Sequence, residues 1–158
     1  MKVLAIDPGN IQSAVVMWDG KHLWCADILP NETLLKGIHG DGLPSLWDVR
    51  FDKAVIEMVA SYGMPVGRTV FDTVFWIGRF YEAFEVRGRT VELTYRQAIK
   101  VHHCNSVRAK DSNIRQALID KYGKPGTKKA PGVTYGLKTD LWQAFALATY
   151  HTEARNNP

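Results

Sequence analysis

Apolar positions along this chain fall into short runs separated by turn residues, and the period of each run predicts its conformation. Val3 to Ile6 is continuously apolar and runs into Asp7-Pro8-Gly9, so Lys2 to Asp7 reads as a strand buried on both faces and stopped by a turn. Ser13 to Trp18 (SAVVMW) is a second strand, and Lys21 to Leu29 (KHLWCADIL) a third. Asp19-Gly20 between them predicts a type I′ hairpin, in which both central residues take positive φ. Glu32 to Ile38 predicts a short helix, and Gly37, Gly40, Gly42 and Pro44 break the chain beyond it. Lys53 to Met58 (KAVIEM) is a fourth strand with an acid, Glu57, near its end. Residues 66–84 give the clearest helix. Val70, Val74, Ile77, Tyr81 and Phe84 recur at helical spacing, Phe71 and Phe75 widen the stripe, and Gly88 ends it. Thr90 to Tyr95 alternates as a fifth strand, and Arg96 to Val101 is a short helix. Asp111 is placed to cap a helix through Tyr122, with Ile114, Ala117 and Leu118 inward and Gly123 as a stop. Lys124 to Val133 (KPGTKKAPGV) is a loop, and Thr139 or Asp140 opens a last helix to about Ala154.

An antiparallel meander followed by β–α alternation predicts an α/β fold: a mixed five-stranded sheet with helices on both faces. At 158 residues the chain has the size of one domain, expected to span 1–158. No apolar run approaches the ~18 to 20 residues of a membrane span, and the opening residues lack the apolar stretch of a secretory signal. Cys25 and Cys104 do not make a disulfide framework, so a reducing, cytoplasmic setting is expected. Net charge is +4, consistent with a polyanionic partner. Its distribution says more. The segment 86–129 holds eleven Lys and Arg residues, among them Arg96, Lys100, Arg108, Lys110, Arg115, Lys128 and Lys129, against the acids Glu92, Asp111 and Asp120.

Three acids occupy telling positions. Asp7 ends the first strand, Glu57 ends the fourth, and Asp140 starts the last helix. A carboxylate at the end of a buried strand is expensive unless its charge is compensated. A hard divalent cation is the compensator that several such acids would share. If the first and fourth strands are neighbours, Asp7 and Glu57 meet at one side of the sheet and the helix start brings in Asp140. Gln143, Leu147 and His151 continue the Asp140 stripe along the last helix, so Gln143 either faces the same place or is polar surface. His102-His103-Cys104 lacks the second ligand pair that a zinc site requires.

The motifs IDPG (Ile6 to Gly9), VIE (Val55 to Glu57) and DLWQAFALATYH (Asp140 to His151) resemble the RuvC-type Holliday junction resolvases of the ribonuclease H-like superfamily. RAKDSNIRQAL (Arg108 to Leu118) is similar to the basic stretch before that family's next helix, and YGMPVG (Tyr62 to Gly67) to small RuvC-like proteins of phages and prophages. The resemblance implies a ribonuclease H-like fold and a homodimeric endonuclease in a bacterial or phage-infected cytoplasm. It implies Mg²⁺ or Mn²⁺ dependence and four-way DNA junctions as substrate. Asp7, Glu57 and Asp140 match the family's first three metal-binding acids, and Gln143 stands where the fourth is expected. A neutral amide ligates a cation more weakly than a carboxylate and cannot act as a base. The family's aromatic after the strand-end Glu is replaced by Ala60, with Tyr62 as a substitute. Arg96, Lys100, Arg108, Lys110, Arg115, Lys128 and Lys129 are the candidates for phosphate contacts. Two alternatives stay open: a catalytically weak structure-selective DNA-binding protein, and a ribonuclease H-like nuclease with another nucleic-acid substrate.

Overall fold

The computed structural model describes residues 1–40 and 50–154. The expected breakers Gly42 and Pro44 lie outside the described residues. Five strands form one sheet: β1 (Val3–Asp7), β2 (Gln12–Trp18), β3 (Leu23–Pro30), β4 (Lys53–Met58) and β5 (Val91–Tyr95), in the order β3-β2-β1-β4-β5. β1 is the central strand. It pairs antiparallel with β2 (Val3 with Trp18, Asp7 with Ala14) and parallel with β4 (Val3 with Lys53, Ile6 with Ile56). Five helices are seen among the described residues: α1 (Asn31–His39), α2 (Arg68–Val86), α3 (Arg96–Cys104), α4 (Asp111–Tyr122) and α5 (Leu141–Glu153). The mixed sheet and its order are those expected of a ribonuclease H-like fold. None of these helices is long and apolar enough to cross a membrane.

The side-chain period of a strand divides the core in two. Leu4, Ile6, Ala54 and Ile56 face α1 and α2, packing with Leu34, Ile77, Phe80 and Phe84. Val3, Ala5, Val16, Trp18 and Val55 face the other way, against Ile99, Ile114, Leu118 and Phe145 of α3, α4 and α5. α5 is buried on nearly every side, as its apolar sequence requires.

Three local expectations are corrected. The turn after β2 is not type I′: Gly20 takes positive φ (98°) but Asp19 does not. The Asp19 carboxylate accepts from the N–H groups of Lys21 (2.8 Å) and His22 (2.7 Å), and from Trp24 Nε1 (2.8 Å). That Asx-type turn delays β3 to Leu23. In α2 the buried residues are Thr73, Ile77, Phe80, Ala83 and Phe84, while Phe71 and Phe75 are each 64% exposed. The helix is apolar on more than one side, so its period alone does not select the buried row. In α4, Lys110 rather than Asp111 is the N-cap, and the Asn113 side chain accepts the Lys110 N–H at 2.8 Å.

Candidate active site

Sequence and pleat together fix where the acids go. Asp7 lies in phase with Val3 and Ala5, and Glu57 with Val55, so both side chains leave the sheet on the α5 face. The parallel register, Ile6 beside Ile56, then sets Asp7 next to Glu57 at the carboxyl ends of adjacent strands. α5 packs over the same two strands, and its N-cap is Asp140. The turn after Asp7 is locked from behind. Ser13 Oγ donates to Asn31 Oδ1 (2.7 Å), Asn31 Nδ2 donates to Gly9 O (2.8 Å), and Gly9 N–H donates to Ser13 Oγ (3.3 Å). A Cβ on Gly9 would meet Gln12 O at 2.4 Å, so only glycine fits that turn.

Arg96 opens α3 at the end of β5 and turns its guanidinium into the acids. Nη1 donates to both oxygens of Glu57 (3.0 and 2.9 Å). Nη2 donates to Asp111 Oδ1 (2.5 Å) and to Gln143 Oε1 (2.7 Å). Glu57 and Gln143 are buried, at 5% and 7% exposed, which excludes the surface reading of Gln143. Burial pushes the Asp7 carboxyl well above its ordinary range. Glu57, Asp140 and Asp111 push it the same way, and Arg96 only partly opposes them. Burial also raises Glu57, while the charge and hydrogen bonds of Arg96 pull it back.

Among the described residues, no three Asp, Glu, His or Cys side chains are already drawn to metal-ligand separation. The donor chemistry nonetheless fits a hard divalent cation. Asp7 and Glu57 end adjacent strands, Asp140 and Gln143 stand at the start of the helix packed over them, and the charges of Glu57 and Asp140 raise the Asp7 carboxyl, an effect that a bound cation would relieve. Asp7, Glu57 and Asp140 are the residues that would hold the ion.

The expected DNA contacts other than Arg96 separate into three groups. Tyr62 and Lys100 line a cavity of about 240 Å³ together with Glu57 and Arg96. Tyr62 is 55% exposed and holds a positive φ of 48°. Arg115 lines a second cavity, about 350 Å³, with Asp111, Asp140 and Gln143, and its guanidinium lies 5.0 Å from the Trp142 ring centre. Arg108 and Lys110 are exposed before α4, and Lys128 and Lys129 on the loop that a Gly126–Pro131 bridge closes. Among the described residues, no ion pair joins those last two lysines to the acids. Arg96 is engaged inside the cluster rather than presented outward. His102 pairs with Glu153 (2.8 Å) and His103 Nε2 donates to Ala146 O (2.9 Å), so these imidazoles fasten α3 to α5. Ser13, Asn31 and the site-facing role of Asp111 have no local sequence signal, because each depends on partners distant in the chain.

No protein-family model matches this chain, and no curated protein does. Solved structures do. Thermus thermophilus RuvC superposes with a TM-score of 0.70 at 19% identity, covering 99% of this chain and 96% of that one. The same protein in complex with Holliday junction substrate gives the same values. The fold is that of RuvC. The RuvC fold accounts for the central β1, the parallel β1–β4 pair that carries Asp7 and Glu57, and the buried closing helix behind Asp140.

Proposed function

We propose that this chain is a divalent-metal-dependent endonuclease that cleaves branched DNA at four-way junctions, acting as a homodimer in which residues 1–158 form one nuclease domain. The observation that carries the reading is the meeting of Asp7 and Glu57 on the α5 face at the end of two parallel strands, with Asp140 at the start of the helix above them. Its superposition on a protein solved with Holliday junction substrate supports the choice of DNA.

Mg²⁺ or Mn²⁺, when bound, supplies charge stabilisation at the attacking and leaving oxygens of an in-line displacement. The protein does the rest. Asp7 on the central strand, Glu57 on β4 and Asp140 at the start of α5 would hold the ion. Gln143 offers a neutral oxygen and accepts no proton. Tyr62 and Lys100 flank the Glu57 side of the opening, and Arg115 flanks the Asp140 side. Arg108, Lys110, Lys128 and Lys129 extend the basic surface along the DNA.

The test is cleavage of four-way junctions, linear duplex and RNA–DNA hybrid with Mg²⁺, Mn²⁺ or EDTA. Junction nicking that needs the metal and disappears in Asp7→Asn is expected. Preferential cleavage of the hybrid would replace junctions with another ribonuclease H-like substrate. A second reading, DNA binding without cleavage, is favoured by Gln143 and by the guanidinium seated among the acids. Junction binding with no metal-dependent nicking would select it.

A further inference from the structure

Asp111 begins α4, yet Asn113 supplies the side-chain hydrogen bond at that helix start. The Asp111 carboxylate goes elsewhere. Its Oδ1 and Gln143 Oε1 accept from one and the same atom, Arg96 Nη2, at 2.5 and 2.7 Å. Two oxygens sharing a donor at such lengths are close neighbours. The other nitrogen of that guanidinium is held by both Glu57 oxygens. Arg96 is therefore a cation already coordinated by Glu57, Asp111 and Gln143 together, which shows that these oxygens converge on positive charge. Asp111 and Asp140 also line one cavity, together with Arg115, Thr139 and Gln143. The Asp111 side chain is 66% exposed there, open to an ion arriving from solvent.

Resting on the metal-site reading above, we propose that Asp111 is a fourth carboxylate of the metal centre, delivered by α4 beside the neutral Gln143. Charge makes the case. Asp7, Glu57 and Asp140 bring three negative charges, Arg96 offsets one and Gln143 brings none, whereas two divalent ions bring four positive ones. Asp111 supplies a further negative charge from α4, at an oxygen that shares Arg96 Nη2 with Gln143. Its hydrogen bond to Arg96 keeps that charge compensated, and an entering cation competes with the guanidinium for the same oxygens.

Binding of Mn²⁺ alone, without DNA, tests this by electron paramagnetic resonance of the free ion, using the full chain. Asp111→Asn should weaken Mn²⁺ binding about tenfold or more, with the melting temperature in EDTA unchanged. Adding Gln143→Asp to Asp111→Asn should restore most of the affinity. Wild-type or tighter binding by Asp111→Asn would mean that Asp111 only restrains Arg96, and would overturn the proposal while leaving the three-acid site intact. A loss that Gln143→Asp does not relieve would also overturn it. Failure of the wild type to bind Mn²⁺ at millimolar concentration would sink the metal-site reading itself.

Discussion

Asp7 is the residue where function and stability pull apart. Its carboxyl is raised first by burial and then by Glu57, so the fold favours the protonated form. Linkage sets the sign of the pH dependence. The unfolded chain releases this proton at an ordinary carboxylate pH, and the folded chain only at a higher one. Stability contributed by the protonated form is complete below the unfolded value and is lost as pH rises through the folded value. At neutral pH the charge is therefore a burden in the absence of a cation. Asp7→Asn should raise the melting temperature in EDTA, by about 2–4 °C for each kcal/mol recovered. It should also abolish cleavage and the stabilisation that Mn²⁺ gives the wild type. Calorimetry with and without Mn²⁺ checks both, and a destabilised Asp7→Asn would contradict the electrostatic account. His151 has the opposite slope. Burial, then the Lys53 ammonium 3.2 Å away, push its imidazole down to about 4, with Glu92 opposing. The unfolded chain takes up that proton first, so stability falls as pH drops from about 6.5 towards 4. The loss is about 1–2 kcal/mol after allowance for partial screening. Urea melts of wild type and His151→Gln at pH 7.5, 5.5 and 4.5 should show a shallower acid loss in the variant.

Elements differ in how openly the sequence declares them, for physical reasons. β1 and β4 are central, apolar on both faces and ended by an acid, so their extent and the alignment of Asp7 with Glu57 can be read from residue order. Asp140 is legible as a helix start. The Arg96 cluster is not, because it joins residues separated by 15, 39 and 47 positions, and no local pattern encodes such pairs. The turn after β2 was misleading because Asp-Gly serves two geometries. The aspartate side chain, not its own φ, chose between them here. α2 is ambiguous in another way. Phe71, Phe75, Ile77, Phe80 and Phe84 are all apolar, and only packing on α1 and the sheet selects Ile77, Phe80 and Phe84 for burial. Phe71 and Phe75 are left in solvent at 64% each, with Val74 at 37% between them. An exposed strip of this kind is a natural contact for a second copy of the chain. Light scattering should therefore find a dimer for the wild type and a monomer for Phe71→Ser/Phe75→Ser. The thermal stability of the folded monomer should move little, because neither ring is in the core. A monomeric wild type would remove α2 as the dimer contact.

Across the whole molecule the charge is arranged as an acidic centre within a basic field. The net charge is only +4, yet the exposed Arg108, Lys110, Arg115, Lys128 and Lys129 all belong to the chain between β5 and α5. Counterion release makes that arrangement measurable: each phosphate neutralised contributes about −0.9 to the slope of log affinity against log salt on B-DNA. Lys128 and Lys129 have no carboxylate partner among the ion pairs of the described residues, so their charge is available to DNA. Lys128→Ala/Lys129→Ala should flatten the slope by up to about 1.8. Arg96 makes the informative contrast. Glu57 and Asp111 already neutralise its guanidinium, so Arg96→Ala releases no additional counterion and should leave the slope as it was. What Arg96→Ala should change is affinity at every salt concentration, because two uncompensated carboxylates then face the phosphates. Fluorescence anisotropy on a labelled four-way junction from low to moderate salt, in EDTA, separates the two effects. A slope that flattens in Arg96→Ala by as much as one lysine contributes would show that the guanidinium leaves the acids for a phosphate when DNA binds.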